Sequence, residues 1–403
     1  MKALVNVAIL GYGTVGSGVA EVLEGHAGSI AGKTRTPIRV KYILDVRTPE
    51  GPFADRFVRD FSVIEQDGGV DIVVETIGGT GAALEFTRRA LSAGKSVVTS
   101  NKELVAEHGY ELLELARAHG VSYLFEASVG GGIPIIRPLA ECLAANEILE
   151  ICGILNGTTN YILTRMIGAG LPFEDALREA QENGYAERDP SADVDGHDAC
   201  RKICILADIA FGRQIFPRQV PTQGIRGVTL ADADYAAAAG MRVKLLGRAL
   251  RMPDGRVCAY VAPHLVPCGH PLAGVEDVFN AITVRGDAIG DVMFYGRGAG
   301  KLPTASAVAG DVIDAARHMG APKYLAWAKG GEDTVAPADE LPSRWYLRVD
   351  APESALAGLG KVTRIGTAPG GGGACLTQEA FSPAELARRL GGLVPGSAFR
   401  VLN

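Results

Sequence analysis

The sequence predicts an α/β protein whose first third forms a doubly wound parallel sheet. An apolar, β-type run at residues 5–10 ends in the glycines Gly11, Gly13 and Gly16, and a helix-compatible segment follows. Further β-type runs cover residues 38–45, 70–76, 96–99 and 121–126. Helix-like segments separate these runs, and strands that alternate with helices usually pair in parallel within one sheet. We therefore expect one parallel sheet with helices on both faces.

Length and composition indicate more than one core and narrow the classes of function. The 403 residues are 47% hydrophobic, which is more than one ordinary core absorbs and suggests two or three domains. The formal net charge is −6 and like charges form no long run, so nucleic acid is not an expected partner. No apolar stretch reaches the roughly 18 residues of a membrane span. The seven cysteines are scattered without a Cys-x-x-Cys pair, which favours reduced thiols in a cytoplasmic protein.

The glycine spacing in residues 11–16 is typical of a Rossmann-type turn that binds a dinucleotide. Gly11 permits a tight turn, Gly13 lets the backbone approach a pyrophosphate, and Gly16 allows the helix to pack closely on the strand. The start of the helix supplies N–H groups to the phosphates. Asp45, at the end of the second strand, suits the ribose hydroxyls of NAD, whereas Arg47 suits the 2′-phosphate of NADP. We favour NAD, but NADP stays open, and both residues could instead be solvated loop charges.

Three structural segments are expected along the chain. Residues 1–135 form the NAD(P)-binding Rossmann domain. Residues 136–325 form an α+β domain for substrate binding and oligomerisation, and residues 300–325 return to the cofactor domain. The alternation of polar and apolar side chains at residues 344–349 predicts a strand that opens a small α+β unit at residues 343–403.

Ionisable side chains are concentrated at residues 187–202. Asp198 and Lys202 are four residues apart on a predicted helix, so their side chains lie on one face. An ordinary surface ion pair is the alternative explanation. However, the helix continues through residues 203–210, which are apolar almost all round, and this indicates burial. Acid–base chemistry is therefore expected in this segment.

Several motifs together resemble the homoserine dehydrogenase family, and the resemblance covers nearly all of residues 1–320. The motifs occupy residues 11–16, 99–102, 125–134, 155–161, 184–187, 189–190, 193–202 and 296–304. The resemblance implies reversible hydride transfer between NAD(P) and homoserine, with aspartate 4-semialdehyde as the product of oxidation, in the biosynthesis of threonine, methionine and isoleucine. Two alternatives remain: another NAD(P)-dependent amino-acid oxidoreductase, and a non-catalytic protein that senses dinucleotides.

The resemblance also implies the residues of the site. Lys202 is the expected acid–base residue, and burial would suit a lysine to act as a base because desolvation disfavours its charged form. The expected catalytic group comprises Lys202, Asp198 and Lys102. The expected substrate ligands are Glu187, Asp193, Asp198, Lys102, Gly157, Thr158 and Tyr185. The expected cofactor ligands are Gly11, Gly13, Thr14, Val15, Gly16, Asp45, Arg47, Thr76, Ser100, Lys102 and Gly300. His197 is the rival base, but its neighbour Asp198 points about 100° away around the helix.

The resemblance further implies a monovalent cation, Na⁺ or K⁺, held by Glu126, Val129, Gly131 and Ile133 through oxygen atoms. A homodimer or homotetramer is expected. Residues 344–403 resemble an ACT-type regulatory module, with strands at 345–349, 374–379 and 397–402 and helices at 354–365 and 383–390. On this interpretation the module is one strand short, because only glycine-rich sequence lies between Ile365 and Ala374. Feedback inhibition by threonine is therefore a hypothesis only.

Overall fold

A computed structural model describes residues 2–47, 50–349, 352–367 and 373–402. By its contacts the chain divides into two compact units. Unit 1 comprises Met1–Asn146, Cys204–Pro217 and Gly296–Gly330, and unit 2 comprises Glu147–Ile203, Arg218–Tyr295 and Gly331–Asn403. The expected division into three segments stays a prediction. Within the described residues, no helix is long and apolar enough to cross a membrane.

Unit 1 contains a six-stranded sheet in the order β3-β2-β1-β4-β5-β6, and every neighbouring pair is parallel. Its strands are β1 Val5–Leu10, β2 Ile38–Leu44, β3 Phe57–Val58, β4 Ile72–Glu75, β5 Ser96–Thr99 and β6 Tyr123–Leu124. The strand order reverses direction beside β1, so the loops after β1 and β4 meet at one edge of the sheet. The predicted doubly wound parallel sheet is confirmed.

Helices cover this sheet and complete its core. They are α1 Thr14–Gly25, α2 Ala27–Thr34, α3 Phe61–Gln66, α4 Ala82–Ser92 and α5 Lys102–Ala118. After the chain has passed through unit 2, the helix α11 Lys301–Arg317 places Ala305, Val308 and Val312 in the same core as the β1 side chains. Gly18 of α1 has no side chain there, and an added Cβ would lie 3.0 Å from Ala305. This glycine therefore lets α1 and α11 pack closely.

Unit 2 is built on a nine-stranded mixed sheet in the order β11-β10-β7-β8-β9-β15-β12-β14-β13. The strands are β7 Ile148–Ile154, β8 Met241–Arg251, β9 Val257–Pro267, β10 Phe279–Gly286, β11 Gly290–Arg297, β12 Arg344–Val349, β13 Val362–Thr367, β14 Gly373–Thr377 and β15 Ser397–Val401. The helices that begin in unit 2 are α6 Gly157–Ala169, α7 Phe173–Glu182, α8 Ser191–Val194, α9 His197–Phe211, α10 Leu230–Ala238 and α12 Pro383–Leu390. The residues of α9 from Cys204 onward belong to unit 1. The mixture of helices with a largely antiparallel sheet confirms the predicted α+β class.

The C-terminal part of unit 2 corrects two predictions. The helix predicted at residues 354–365 is wrong, because a 3₁₀ helix at Glu353–Leu359 is followed by β13. The β-branched residues Val362, Thr363 and Ile365 favour a strand, and this strand pairs antiparallel with β14. Within the described residues this region therefore has four strands and is not one strand short. Residues 370–372 of the glycine run lie outside the described residues, and the likeness to an ACT module stays a prediction.

Candidate active site

The glycine turn between β1 and α1 has the backbone shape that its sequence predicts. Gly11 has a φ of +91°, which favours glycine, and a Cβ at Gly16 would lie 2.0 Å from the carbonyl oxygen of Gly11. Around Gly13, in contrast, no atom lies within 4 Å of the position of a Cβ. The first turn of α1 has no side-chain cap, so its N–H groups suit a phosphate. Thr14, Val15 and Gly16 lie in this first turn, and the turn fits a dinucleotide.

Asp45 follows β2 and is fixed beside this turn. Its carboxylate accepts the backbone N–H of Tyr12 at 2.7 Å and of Arg47 at 2.8 Å. The Arg47 Nε lies 3.4 Å from the same carboxylate, while 74% of the arginine side chain is exposed. Burial acts to raise the pKa of Asp45, but the backbone hydrogen bonds from Arg47 and Tyr12 outweigh it and lower the pKa. The carboxylate is therefore ionised at neutral pH.

The loops after β4 and β5 and the start of α11 carry the other expected cofactor residues of unit 1. Thr76 follows β4, and its hydroxyl donates to the carbonyl oxygens of Leu10 at 2.9 Å and Gly11 at 3.0 Å. Ser100 follows β5, and Lys102 is the first residue of α5. Gly300, with a φ of +120°, is the N-cap residue of α11. Because β1, β4 and β5 are neighbours, their carboxyl-terminal loops share one edge of the sheet.

Lys202 and Asp198 form a buried pair on α9 in unit 2. Lys202 Nζ donates to Asp198 Oδ2 at 2.8 Å and to the carbonyl oxygen of Leu155 at 2.8 Å. Only 7% of Lys202 and 2% of Asp198 is exposed. The alternative of a surface ion pair is therefore wrong, and the predicted burial is confirmed. His197, the rival base, is exposed and does not share this environment.

Asn156 connects this pair to a second carboxylate. Its Nδ2 donates to Asp193 Oδ1 at 2.7 Å and to Asp198 Oδ2 at 2.9 Å. Its Oδ1 accepts the N–H of Thr159 at 2.8 Å and so caps the start of α6. Sequence analysis did not select Asn156, although an asparagine directly before a helix is a recognisable capping signal. We call Lys202, Asp198, Asn156 and Asp193 the lysine–carboxylate cluster.

The other expected substrate ligands lie in two places in unit 2. Gly157 and Thr158 are the first residues of α6, and the hydroxyl of Thr158 donates to the carbonyl oxygen of Tyr185 at 2.6 Å. Tyr185 is 43% exposed, and its ring contacts Tyr161 edge to face. Glu187 is exposed, and its side chain forms no hydrogen bond or ion pair with any other described residue. The structure therefore brings Thr158 and Tyr185 together but leaves Glu187 outside the lysine–carboxylate cluster.

The loop expected to hold a monovalent cation is tightly folded within unit 1. Both carboxylate oxygens of Glu126 accept backbone N–H groups, from Ile135 at 2.7 Å, Ile136 at 2.8 Å and Arg137 at 2.9 Å. Gly131 has a φ of +56°. Backbone carbonyls such as those of Val129, Gly131 and Ile133 are the oxygen donors that hard cations prefer, and the cation site stays a prediction. Across the residues described, no cluster of three His, Cys, Asp or Glu side chains suits a transition metal.

Known proteins resemble this chain in both sequence and structure. A family model described as homoserine dehydrogenase matches residues 134–313, and one described as its NAD binding domain matches residues 11–126. The homoserine dehydrogenase of Neisseria gonorrhoeae is 43% identical over 358 residues, which cover 86% of this chain and 82% of that protein. The homoserine dehydrogenase of Corynebacterium glutamicum is also 43% identical, over 86% of this chain and 80% of that protein.

Solved structures agree with these matches. The crystal structure of a homoserine dehydrogenase from Thiobacillus denitrificans has a TM-score of 0.89 at 34% identity and covers 99% of this chain and 98% of that chain. A hyperthermophilic archaeal homoserine dehydrogenase in complex with NADPH has a TM-score of 0.66 at 30% identity, covering 80% of this chain and 99% of that chain. Together with the glycine turn and the buried lysine, these matches confirm the predicted family. The chain belongs to the homoserine dehydrogenase family and is an NAD(P)-dependent oxidoreductase that acts on a CH–OH group.

Proposed function

We propose that this protein catalyses the reversible oxidation of homoserine to aspartate 4-semialdehyde, with Lys202 as the acid–base residue. The observation that carries this proposal is the buried pair of Lys202 and Asp198, because an amine held away from solvent beside one carboxylate suits proton transfer. The family membership supports the reaction. We further propose the expected role in amino-acid biosynthesis and a cytoplasmic location.

Proton transfer occurs at Lys202 Nζ. In the oxidative direction the O–H bond of homoserine breaks and Nζ takes the proton, while the C–H bond breaks with its electron pair. Bound NAD(P) supplies the hydride acceptor. In the reductive direction the ammonium returns its proton to the aldehyde oxygen as negative charge develops there. Asp198 stabilises the ammonium and, with the carbonyl of Leu155, fixes the direction of the Lys202 side chain.

The substrate's own charges explain the remaining polar groups. Homoserine carries an ammonium and a carboxylate. Asp193 and Glu187 suit the ammonium, and the N–H groups of Gly157 and Thr158 at the start of α6 suit the carboxylate. Lys102 contributes a positive charge at the nicotinamide end. The hydrogen-bonding geometry of unit 2 and the family motifs support these roles.

The reaction is tested with purified protein and homoserine by following the absorbance of the reduced nicotinamide. We expect NADH or NADPH to form with homoserine, and the reverse reaction to proceed with aspartate 4-semialdehyde. The control is the same mixture with an amino acid that lacks a hydroxyl group. Turnover of another amino acid without turnover of homoserine would contradict the proposal and favour a different oxidoreductase.

We propose that NAD is preferred over NADP. The fixed, ionised carboxylate of Asp45 supports this preference, because it would accept hydrogen bonds from ribose hydroxyls and repel a 2′-phosphate. Arg47 is engaged by the same carboxylate. We expect a higher kcat/KM with NAD than with NADP, and we expect Asp45→Ala to reduce the difference. A higher kcat/KM with NADP would reverse the assignment.

We propose that Na⁺ or K⁺ is held by Glu126 together with the backbone carbonyls of Val129, Gly131 and Ile133. Three backbone N–H groups fix the Glu126 carboxylate beside this loop, which supports its place in the site. Replacing KCl and NaCl with choline chloride at constant ionic strength should lower the rate, whereas an unchanged rate would contradict the site.

We also propose that the protein is a homodimer or homotetramer. Light scattering of the protein as it elutes from a size-exclusion column would distinguish these states from a monomer.

A further inference from the structure

A chain of hydrogen bonds joins the carboxyl ends of β4 and β5 within unit 1. Glu75, the last residue of β4, is completely buried. Its Oε1 accepts the backbone N–H of Ile77 at 2.7 Å and of Gly78 at 3.1 Å. Its Oε2 accepts the hydroxyl of Thr99, the last residue of β5, at 2.6 Å. One carboxylate therefore holds both the loop that follows its own strand and the neighbouring strand.

Asn101 continues the chain of hydrogen bonds. Its backbone N–H donates to the hydroxyl oxygen of Thr99 at 2.9 Å, and its Nδ2 donates to the carbonyl oxygen of Gly79 at 2.7 Å. Its Oδ1 accepts the N–H of Leu104 at 3.1 Å and so caps α5. The first residue of this helix is Lys102. Asn101 thus links the loop after β4 to the helix start that carries Lys102.

The loop after β4 needs such support because its own sequence does little to fix it. Gly78 and Gly79 have φ values of +85° and +68°, and no atom lies within 4 Å of a Cβ built on either residue. Glycines in open space retain much conformational freedom, so fixing them costs entropy. A buried carboxylate is also costly unless its oxygens are hydrogen-bonded. An apolar residue at position 75 would avoid that cost, which indicates that the bonds made by Glu75 have a purpose beyond packing.

We propose that Glu75 and Asn101 are positioning residues that hold the loop at residues 76–79 and the start of α5 in the arrangement that binds the nicotinamide cofactor. The inference rests on the proposed function and on the expectation that Thr76, Ser100 and Lys102 contact the cofactor. Glu75 acts on the first half of the loop through the N–H groups of Ile77 and Gly78. Asn101 acts on its second half through the carbonyl of Gly79, and it fixes Lys102 at the same time.

Asn101→Ser separates the two tasks of this side chain. Serine is also a good N-cap residue, so the start of α5 keeps a partner, but serine cannot reach Gly79 as the longer amide does. We expect the Kd for NADH, measured by isothermal titration calorimetry, to rise about five- to tenfold, which corresponds to the loss of one hydrogen bond. The thermal unfolding midpoint should stay close to that of the wild type. Calorimetry does not depend on turnover, so a failure of homoserine oxidation in the wild type would be recognised separately.

Asp60→Ser is the matched control. Asp60 caps α3 in the same unit by accepting the N–H of Ser62 at 2.8 Å, and none of its hydrogen bonds reaches the loop at residues 76–79. This variant should bind NADH like the wild type. If Asn101→Ser also binds NADH like the wild type, or weakens binding only in proportion to a fall in stability that Asp60→Ser shares, the residue is merely a helix cap and the proposal is overturned.

A double variant tests whether Glu75 and Asn101 act on the same loop. Glu75→Gln keeps the side-chain length but changes the hydrogen-bonding pattern, because an amide cannot accept at both ends. If both residues position one loop, the double variant Glu75→Gln with Asn101→Ser should weaken NADH binding by less than the product of the two single effects. Fully multiplicative effects would show independent roles and would overturn the proposal.

Discussion

Two buried lysines of unit 2, Lys202 and Lys244, differ in their partners rather than in their burial. The exposed fraction is 7% for Lys202 and 2% for Lys244. Each donates to one main-chain carbonyl, of Leu155 and of Val275 respectively. The second partner of Lys202 is a carboxylate, whereas that of Lys244 is the amide oxygen of Asn160 at 3.1 Å.

The surroundings of Lys244 indicate a structural role. Asn160 Nδ2 donates to the carbonyls of Val275, Asp277 and Phe279, so this asparagine and the lysine together fasten one loop to α6 and β8. Burial lowers the pKa of Lys244 to about 8, although the nearby charge of Glu276 opposes the change. Burial of a lysine therefore does not identify a catalytic site. The proposed role of Lys202 rests instead on its direct bond to Asp198 and on Asn156, which links Asp198 to Asp193.

Loss of the Lys202 amine should change the reaction rate more than any other substitution considered. Lys202→Ala should lower kcat by about 10²- to 10⁴-fold, the range typical of lost acid–base catalysis, because the group that accepts and returns the proton is removed. NADH binding, measured by calorimetry, should survive. Lys244→Met is the matched control and should leave kcat per folded molecule close to that of the wild type. A large loss of kcat in Lys244→Met with normal kcat in Lys202→Ala would reverse the comparison.

The structural role of Lys244 also predicts a loss of stability in Lys244→Met. Lys244→Met leaves the carbonyl of Val275 and the amide oxygen of Asn160 with one donor fewer, and we expect a loss of about 1–3 kcal/mol in the free energy of unfolding. Urea denaturation followed by circular dichroism measures this loss. A fully stable Lys244→Met variant would remove the structural role that distinguishes Lys244 from Lys202.

A smaller effect is expected when the link between the carboxylates is removed. Asn156→Ser keeps a cap for α6 but cannot bridge Asp193 and Asp198. We expect kcat/KM for homoserine to fall about tenfold while NADH binding stays unchanged. The comparison of kcat/KM for homoserine with the Kd for NADH checks this, because damage to the whole fold would change both quantities.

The smallest expected effect is a pH dependence caused by Lys244. Its pKa is about 8 in the folded protein and 10.5 as the ordinary value, so the unfolded chain binds more protons between these limits. Raising the pH through this window should therefore increase the stability of the wild type relative to Lys244→Met. Paired urea titrations at several pH values measure the difference, and the exposed-site variant Lys33→Met is the control. A difference that is constant with pH would contradict the lowered pKa.

Much of the fold could be predicted because its signals are local. The glycine turn and the alternation of strands with helices determine the parallel sheet of unit 1. The sheet of unit 2 depends instead on pairing between distant segments, such as Arg400 beside His264 in the parallel pair of β15 and β9. No local pattern predicts such a pair. The helix predicted across Gly358 and Gly360 was wrong for a similar reason. A segment this short can match both the helix pattern and the strand pattern, so its sequence did not reveal that β13 follows.

In the site, too, some residues could be predicted from local sequence and others only from the fold. Asp198 and Lys202 were predictable because they lie four residues apart on one helix. The hydrogen bond from Lys202 to Leu155 joins residues 47 positions apart and requires the tertiary structure. The burial of Lys244 could not be predicted either, because a charged residue within a strand usually indicates its solvent-exposed face. Local spacing thus predicted the pair of Asp198 and Lys202, and only the fold showed the groups that orient it.

Chemical rescue of Lys202→Ala shows whether the Lys202 amine carries the proton. Small primary amines added to this variant should restore part of kcat in a concentration-dependent manner, because they replace the missing amine as proton acceptor and donor. The same amines should not accelerate the wild type or Lys102→Ala. The claim would be contradicted if Lys202→Ala, folded and binding NADH, turned over homoserine at the wild-type rate without any amine, or if the amines rescued Lys102→Ala instead.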